Sequence, residues 1–231
     1  MQISQKVALL AETELFNQLD EEALTKLAER TEHRVFEAGQ TIFVQDERGD
    51  RFFIIVKGVV KLLVRSRSGD SIELVRHSRP AVLGELAVLD NGPRSASAEA
   101  VEATVLLSMT RDELFEVIQA QPHVAEALLR RLAGVVRRTT EDYAALAFLD
   151  LEGRVARRIL ALACNPGRQP AERAGQRGRR ITQTEIAQMV SGSRQRVNGA
   201  LRSLERRGFV ALTDSGIEIK DGDGLRRRAD Q

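Results

Sequence analysis

Residues 181–198 read Ile181-Thr182-Gln183-Thr184-Glu185-Ile186-Ala187-Gln188-Met189-Val190-Ser191-Gly192-Ser193-Arg194-Gln195-Arg196-Val197-Asn198. Thr182 and Glu185 match a capping box, in which each side chain satisfies an otherwise free backbone N–H. A short helix to Val190 follows, Ser191-Gly192 turns the chain, and Ser193 caps a longer helix running to Arg207. Gly208 can close that helix in a left-handed conformation. Residues 209–212 and 217–219, joined through Thr213-Asp214-Ser215-Gly216, read as a hairpin. Helix, tight turn, helix and hairpin make a winged helix-turn-helix, whose second helix enters the major groove of DNA. Its leading side chains here are Arg194, Gln195 and Asn198; Arg suits guanine, and Gln or Asn suits adenine. Thr182, Gln183 and Ser193 stand where hydroxyl, amide and backbone N–H groups meet phosphates, and Arg196 and Arg202 add salt-dependent attraction. A solvated arginine face on an ordinary surface helix is the plainer reading. It does not account for two capped helices, a four-residue turn and a hairpin together.

Charge supports a division of the chain. Residues 150–231 carry 17 Lys and Arg against 10 Asp and Glu, a net of +7, whereas residues 1–149 carry a net of −5. A basic module for a polyanion, here double-stranded DNA, is thus joined to an acidic one. At 231 residues, with 42% hydrophobic and 29% charged, the chain has material for a core and for one or two domains. Cys164 is the single cysteine, so no disulfide forms within the chain, and a four-cysteine iron–sulfur cluster or a cysteine-built zinc site is excluded. No metal is expected. The first 15 residues lack a signal-peptide core, and no apolar run nears the roughly 20 residues that span a bilayer. A soluble, cytoplasmic protein is expected.

Toward the N-terminus, residues 9–30 read as helix, with Leu15, Leu19, Ala23, Leu24, Leu27 and Ala28 at helical spacing. From Thr31 to about Thr110 the texture changes to short apolar runs (52–56, 59–64, 72–75). They are broken by Glu37-Ala38-Gly39-Gln40, Glu47-Arg48-Gly49-Asp50, Lys57-Gly58 and Ser68-Gly69-Asp70. This predicts a small antiparallel barrel or roll. Helix resumes at Arg111, and Pro122 opens a longer helix in which Leu128, Leu132, Val135, Thr139, Asp142 or Tyr143, and Leu146 form a narrow heptad seam. Pairing with a second copy is favoured over packing on the helix's own domain. Phe148-Leu149-Asp150 reads as a joint, with Asp150 capping the next helix. Residues 165–180 form a polar loop, and the arginine-rich tail from Leu225 to Gln231 is expected to be mobile. The fold class is α+β: a roll over residues 1–120, a dimerisation helix and hinge over 121–149, and a winged helix-turn-helix over 150–231.

The most informative part of the roll is Leu83-Gly84-Glu85-Leu86-Ala87-Val88-Leu89-Asp90-Asn91-Gly92-Pro93-Arg94-Ser95-Ala96-Ser97-Ala98. A phosphate wants a guanidinium, a hydroxyl and free N–H groups near a helix start, and Arg94, Ser95 and the 85–87 backbone offer them. Glu85 can accept from a ribose hydroxyl. A simple Arg94–Glu85 ion pair is the competing reading. The stretch resembles the phosphate-binding cassette of cyclic nucleotide-binding domains, and Gly39, Gly49-Asp50 and Val56-Lys57-Gly58 resemble that domain's turns. Residues 146–156 and the reader are similar to the hinge and reader of the CRP/FNR family, over about residues 10–220. The resemblance implies a cyclic nucleotide-responsive transcriptional regulator, jelly-roll-like in its first domain and homodimeric, with RNA polymerase as a further partner. Cyclic AMP is the expected ligand, and cyclic GMP or cyclic di-GMP are weaker alternatives. The ligand-binding set would be Gly84, Glu85, Leu86, Ala87, Arg94, Ser95, Thr139 and Thr140, the two threonines facing adenine.

Two positions depart from the family's activator pattern. Gln195 stands where that pattern has Glu, and Gly199 where it has a second Arg, so base preferences beside the Arg194 contact should shift. A haem-based gas sensor would need a histidine ligand beside the roll; His77 is in the roll, but a lone surface or packing histidine is the commoner case. An oxygen-sensing cluster would need cysteines that are absent, and some members act without ligand. An enzyme is not expected, because His33, His77, His123 and Cys164 are scattered and show no nucleophile–base pattern.

Overall fold

The computed structural model describes residues 1–66, 71–163, 186, 189–190, 193–213 and 216–230. It divides into two compact units, Met1–Val136 and Arg137–Gln231. The first begins with α1 (Ile3–Ala11) and α2 (Glu21–Arg30). The single helix expected over residues 9–30 is therefore two, with turns between them. Asp20 starts the second by accepting from the Ala23 amide at 2.8 Å, and Thr13 turns the first back by donating to the Leu9 carbonyl at 3.1 Å. Leu15, Phe16 and Leu19 in the turns are buried all the same. Their helix-like spacing thus reports burial, not helix. The Lys6 ammonium donates to the Ala28 carbonyl at 3.0 Å and also to the Thr31 carbonyl, closing the end of α2.

The roll follows: β1 (Glu32–Phe36), β2 (Thr41–Phe43), β3 (Arg51–Lys57), β4 (Val59–Arg65), β5 (Ser71–Ser78), β6 (Ala81–Leu83), the short helix α3 (Glu85–Asp90), β7 (Ser97–Ala100) and β8 (Thr104–Thr110). The strands form two antiparallel sheets, ordered β1-β8-β3-β6 and β2-β7-β4-β5. The unbroken apolar run of β3 is explained by burial on both faces. Phe52, Ile54 and Val56 pack with the helices, and Phe53 and Ile55 fill the space between the sheets with Phe43, Val60, Leu83 and Leu106. Gly39 and Gly58 take φ of +84° and +93° at the tight turns, conformations that favour glycine. The expected turn at Ser68-Gly69-Asp70 lies outside the described residues.

Thr110 and Glu113 form a capping box that starts α4 (Arg111–Ala120), and α5 (Pro122–Phe148) follows. In the second unit, α6 (Leu151–Ala163) precedes α7 (Arg194–Arg206), the hairpin β9 (Val210–Thr213) and β10 (Gly216–Ile219), and a last helix α8 (Gly222–Ala229). The tail expected to be mobile is this helix. Asp221 caps it by accepting from the Gly224 amide at 2.8 Å, and Leu225 and Ala229 enter the core beside Val155, Ala156 and Ile159. Cys164, the loop 165–180 and the Thr182–Glu185 capping box lie outside the described residues.

Candidate functional sites

β6 delivers the chain to Gly84, which takes φ +77° and starts α3. A side chain there would be strained by the left-handed backbone, and its Cβ, 2.4 Å from Arg94 Nη1, would also push the guanidinium aside. The next residue, Glu85, is buried, as are Ala87 and Arg94; Leu86 is half-buried and Ser95 exposed. These six residues all lie in the first unit, and among the described residues the Gly84 carbonyl is the one of the six that takes a hydrogen bond from the Arg94 guanidinium. Arg94 donates to the Gly84 carbonyl at 2.8 Å and to the Arg51 carbonyl at 2.6 Å, and its cation lies 4.3 Å from the Phe43 ring centre. A Cβ at Gly49 would sit 2.6 Å from the same guanidinium, so the glycine of the 47–50 turn makes room for it. Burial pushes the Arg94 pKa down, against the pull of Asp50, Glu47 and Glu85 nearby. The side chain is a covered cation whose hydrogen bonds go to neutral carbonyls.

Glu85 does not pair with Arg94. Its carboxylate accepts from Arg131 Nε at 2.8 Å, and the same guanidinium donates to the Val82 carbonyl. The ion pair suggested by nine-residue spacing is replaced by one spanning 46 residues. The sequence pattern puts Arg131 only on the flank of a helical seam. No local signal marks it, because its partner is brought to it by the return of α5 past the roll. Arg111 holds the other end of α3, donating to the carbonyls of Val88 and Leu89 and stacking on Phe115.

Thr139 and Thr140 are exposed residues of α5 and belong to the second unit. Leu128 is 3% exposed and is part of the roll's own core. It cannot serve a seam. The exposed large apolar side chains of α5 are Leu129, Val136 and Tyr143, seven residues apart, Leu146 on the alternate row, and Phe148 at the helix end. The heptad stripe is therefore 129, 132, 136, 139, 143 and 146; it shares Leu132, Thr139, Leu146 and the Tyr143 alternative with the expected one, and has Leu129 and Val136 in place of Leu128 and Val135.

In the second unit, the Ser193 hydroxyl accepts from the Arg196 amide at 3.4 Å and starts α7. Val197, Ala200, Leu201 and Leu204 bury one face, while Arg194, Gln195, Arg196, Gly199, Arg202 and Arg206 are exposed. Asn198 is half-buried, and its Oδ1 is covered and accepts no hydrogen bond from the described residues. Thr182 and Gln183 lie outside the described residues. Gly208, at φ +77°, ends α7, and Glu205 ties the hairpin to it by accepting from the Leu212 amide at 3.0 Å. Among the described residues no helix is long and apolar enough to cross a membrane.

The sequence pattern of the cyclic nucleotide-binding domain family matches residues 33–121, and that of the Crp-like helix-turn-helix domain matches residues 153–228. The chain is 37% identical over 221 residues to a CRP-like cAMP-activated global transcriptional regulator of Mycobacterium tuberculosis, covering 96% of this chain and 98% of that one. Among solved structures, the Thermus thermophilus catabolite activator protein matches with a TM-score of 0.55 and 28% identity, over 94% of this chain and 98% of the other. The c-di-GMP responsive global regulator CLP of Xanthomonas campestris shares the fold, with a TM-score of 0.73 at 17% identity over 87% of this chain and 99% of that one. With a cyclic nucleotide-binding domain followed by a Crp-like helix-turn-helix domain, the chain belongs to the CRP/FNR family of DNA-binding transcriptional regulators.

Proposed function

We propose that the protein is a cAMP-responsive regulator that binds a two-fold symmetric operator as a homodimer. The carrying observation is Arg94: a buried guanidinium hydrogen-bonded to neutral carbonyls, with the exposed Ser95 hydroxyl beside it in sequence. Such a cation favours an anion, and a cyclic phosphate is a small one that a guanidinium and a hydroxyl can share. Amides in the first turn of α3 have no intrahelical acceptor and suit the same oxygens. Glu85 would accept from the ribose 2′-hydroxyl, and Thr139 and Thr140 would face the base. The name of the Mycobacterium relative supports cAMP over other nucleotides.

The proposed response runs through Glu85. Its carboxylate is held by Arg131, a residue of α5, so a hydroxyl that competes for or shares it acts on the dimerisation helix directly. Ligand stabilises the DNA-binding arrangement only by binding it more tightly than the other. Two readers must stand about 34–36 Å apart to meet successive major grooves, so a change at the paired α5 helices decides binding. In this reading Arg194 contacts guanine, Gln195 and Asn198 contact neighbouring bases, and Thr182, Gln183 and Ser193 contact phosphates.

Calorimetry of the purified protein against cAMP, cGMP and cyclic di-GMP tests the pocket. One cAMP per chain is expected, and Arg94→Ala should weaken it by about 100-fold, some 2.7 kcal/mol, while the protein stays folded. Tighter binding of cyclic di-GMP, or unchanged cAMP binding by Arg94→Ala, would overturn the assignment.

A further inference from the structure

The second unit holds a cluster of charges built on Asp150, Glu152, Arg207 and Arg228. Asp150, the last residue of the joint, caps α6 by accepting from the Gly153 amide at 2.8 Å. Its two carboxylate oxygens also accept from Arg228 Nη2 at 2.7 and 2.6 Å. Arg228 Nε donates to Glu152 Oε1 at 2.9 Å, and Arg207, the residue closing α7, donates to that same oxygen at 2.8 Å. Arg154 adds a strand to the net, donating to the Leu149 carbonyl at 3.1 Å and the Val190 carbonyl at 3.3 Å. The joint and the first turn of α6 thus meet the C-terminal helix at Arg228, a residue only 8% exposed, and the end of the reader helix joins them through Glu152, whose one oxygen accepts from both Arg228 and Arg207.

The packing is built for this meeting. Gly153 lets α8 approach: a Cβ there would sit 3.2 Å from Arg228 Nη1 and 3.3 Å from its carbonyl oxygen. At the other end, a Cβ at Gly224 would lie 2.6 Å from the Phe209 ring. Leu225 and Ala229, one turn apart, anchor α8 in the core on either side of Arg228. A surface helix needs no buried arginine to be stable. A planar fork that can reach two carboxylates at once is what locks separate elements into one orientation.

We propose that Arg228 is a positioning residue for DNA recognition: α8 braces the joint against the end of α7, so that the reader moves with the joint as one rigid head. The proposal deepens the regulator reading above and rests on it. Motion delivered to residues 149–150 then reaches α7 undiluted, whereas a loosened head would present its arginines over a range of angles.

The test uses full-length protein and a duplex enriched from a random pool by the wild type in the presence of cAMP. Arg228→Gln is expected to weaken duplex binding by roughly tenfold, to leave cAMP affinity within about twofold, and to keep the wild-type slope of affinity against salt, because Arg228 touches no phosphate. Asp150→Asn keeps a capping side chain and should shift duplex binding in the same direction by about threefold, so it decides the matter if Arg228→Gln does not fold. Wild-type duplex affinity in a folded variant would overturn the proposal. So would a shallower salt slope, which marks a phosphate contact, or a parallel loss of cAMP affinity. A wild type that ignores cAMP refutes the ligand reading alone, since the same comparison without nucleotide still judges Arg228. A wild type that enriches no duplex sinks both.

Discussion

Arg94 and Arg228 are buried arginines in opposite company. Arg94 lies against carbonyl oxygens and burial lowers its pKa, whereas Arg228 lies against Asp150 and Glu152, which raise its pKa despite burial. The first arrangement pairs the cation with no carboxylate by a hydrogen bond among the described residues, which is what the proposed phosphate contact needs; the second uses the charge up inside the fold. The second also carries a pH dependence. Burial acts to raise the Glu152 pKa, but hydrogen bonds from Ser203, Arg228 and Arg207 outweigh it and hold the carboxyl below its usual range. Asp150 is lowered too, first by the Gly153 amide and then by Arg228. Each carboxyl therefore binds its proton less readily in the folded than in the unfolded chain. The stability it contributes is complete above the unfolded values, near ~4, and is lost as pH falls through the lowered ones. Calorimetric unfolding of the wild type should show the second unit losing stability below about pH 4, with Glu152→Gln flattening that fall. An equally steep fall in the variant would detach Glu152 from the effect. At this scale the sequence shows what neighbours in the chain can show. Gly84, Glu85, Arg94 and Ser95 stand within a dozen residues, and their chemistry is readable together. Arg131 and Arg228 take partners 46 and 78 residues away, and nothing local distinguishes them from solvated arginines.

Among the elements, the strands are the most legible, because apolar runs between glycine turns have one economical solution, and α5 is legible in kind but not in register. Period alone fixes a stripe to within a residue; the roll's demand for Leu128 decides which stripe is left over. The prediction that follows separates the two registers. Leu129 is 66% exposed, so Leu129→Glu should leave the monomer's unfolding unchanged within about 0.5 kcal/mol. If the chain is the homodimer proposed above, the same variant should nevertheless be monomeric at micromolar concentration, as read by light scattering after size exclusion. Leu128→Ala should do the reverse, costing about 2–5 kcal/mol of stability through the cavity it leaves in the roll while preserving dimerisation. If Leu128→Ala dissociated the dimer and Leu129→Glu did not, the stripe would be the one that sequence spacing favours. The helix α8 escapes a sequence reading because three consecutive arginines outweigh two apolar residues locally; only the core that receives Leu225 and Ala229 makes it a helix of the fold.

At the level of the whole molecule, the division of charge between the two parts of the chain becomes a statement about binding. The exposed arginines of α7 are of two sorts by position. Arg194 leads the helix, where side chains reach base edges, while Arg202 lies two turns further along the exposed face. If Arg202 meets a phosphate, its charge releases counterions and nothing about the base sequence changes. Arg202→Ala should then weaken binding to all sequences alike and make the slope of log affinity against log salt shallower. The change is about 0.9 for each phosphate that is no longer neutralised, hence about 1.8 for a dimer on two half-sites. Arg194→Ala should leave that slope nearly unchanged and lose about 1–3 kcal/mol of discrimination at one base pair in each half-site. The doubling is the informative part. A slope change near ~0.9 would mean that one reader is engaged at a time, and symmetric recognition by two chains would fail even though each chain on its own still recognised its half-site.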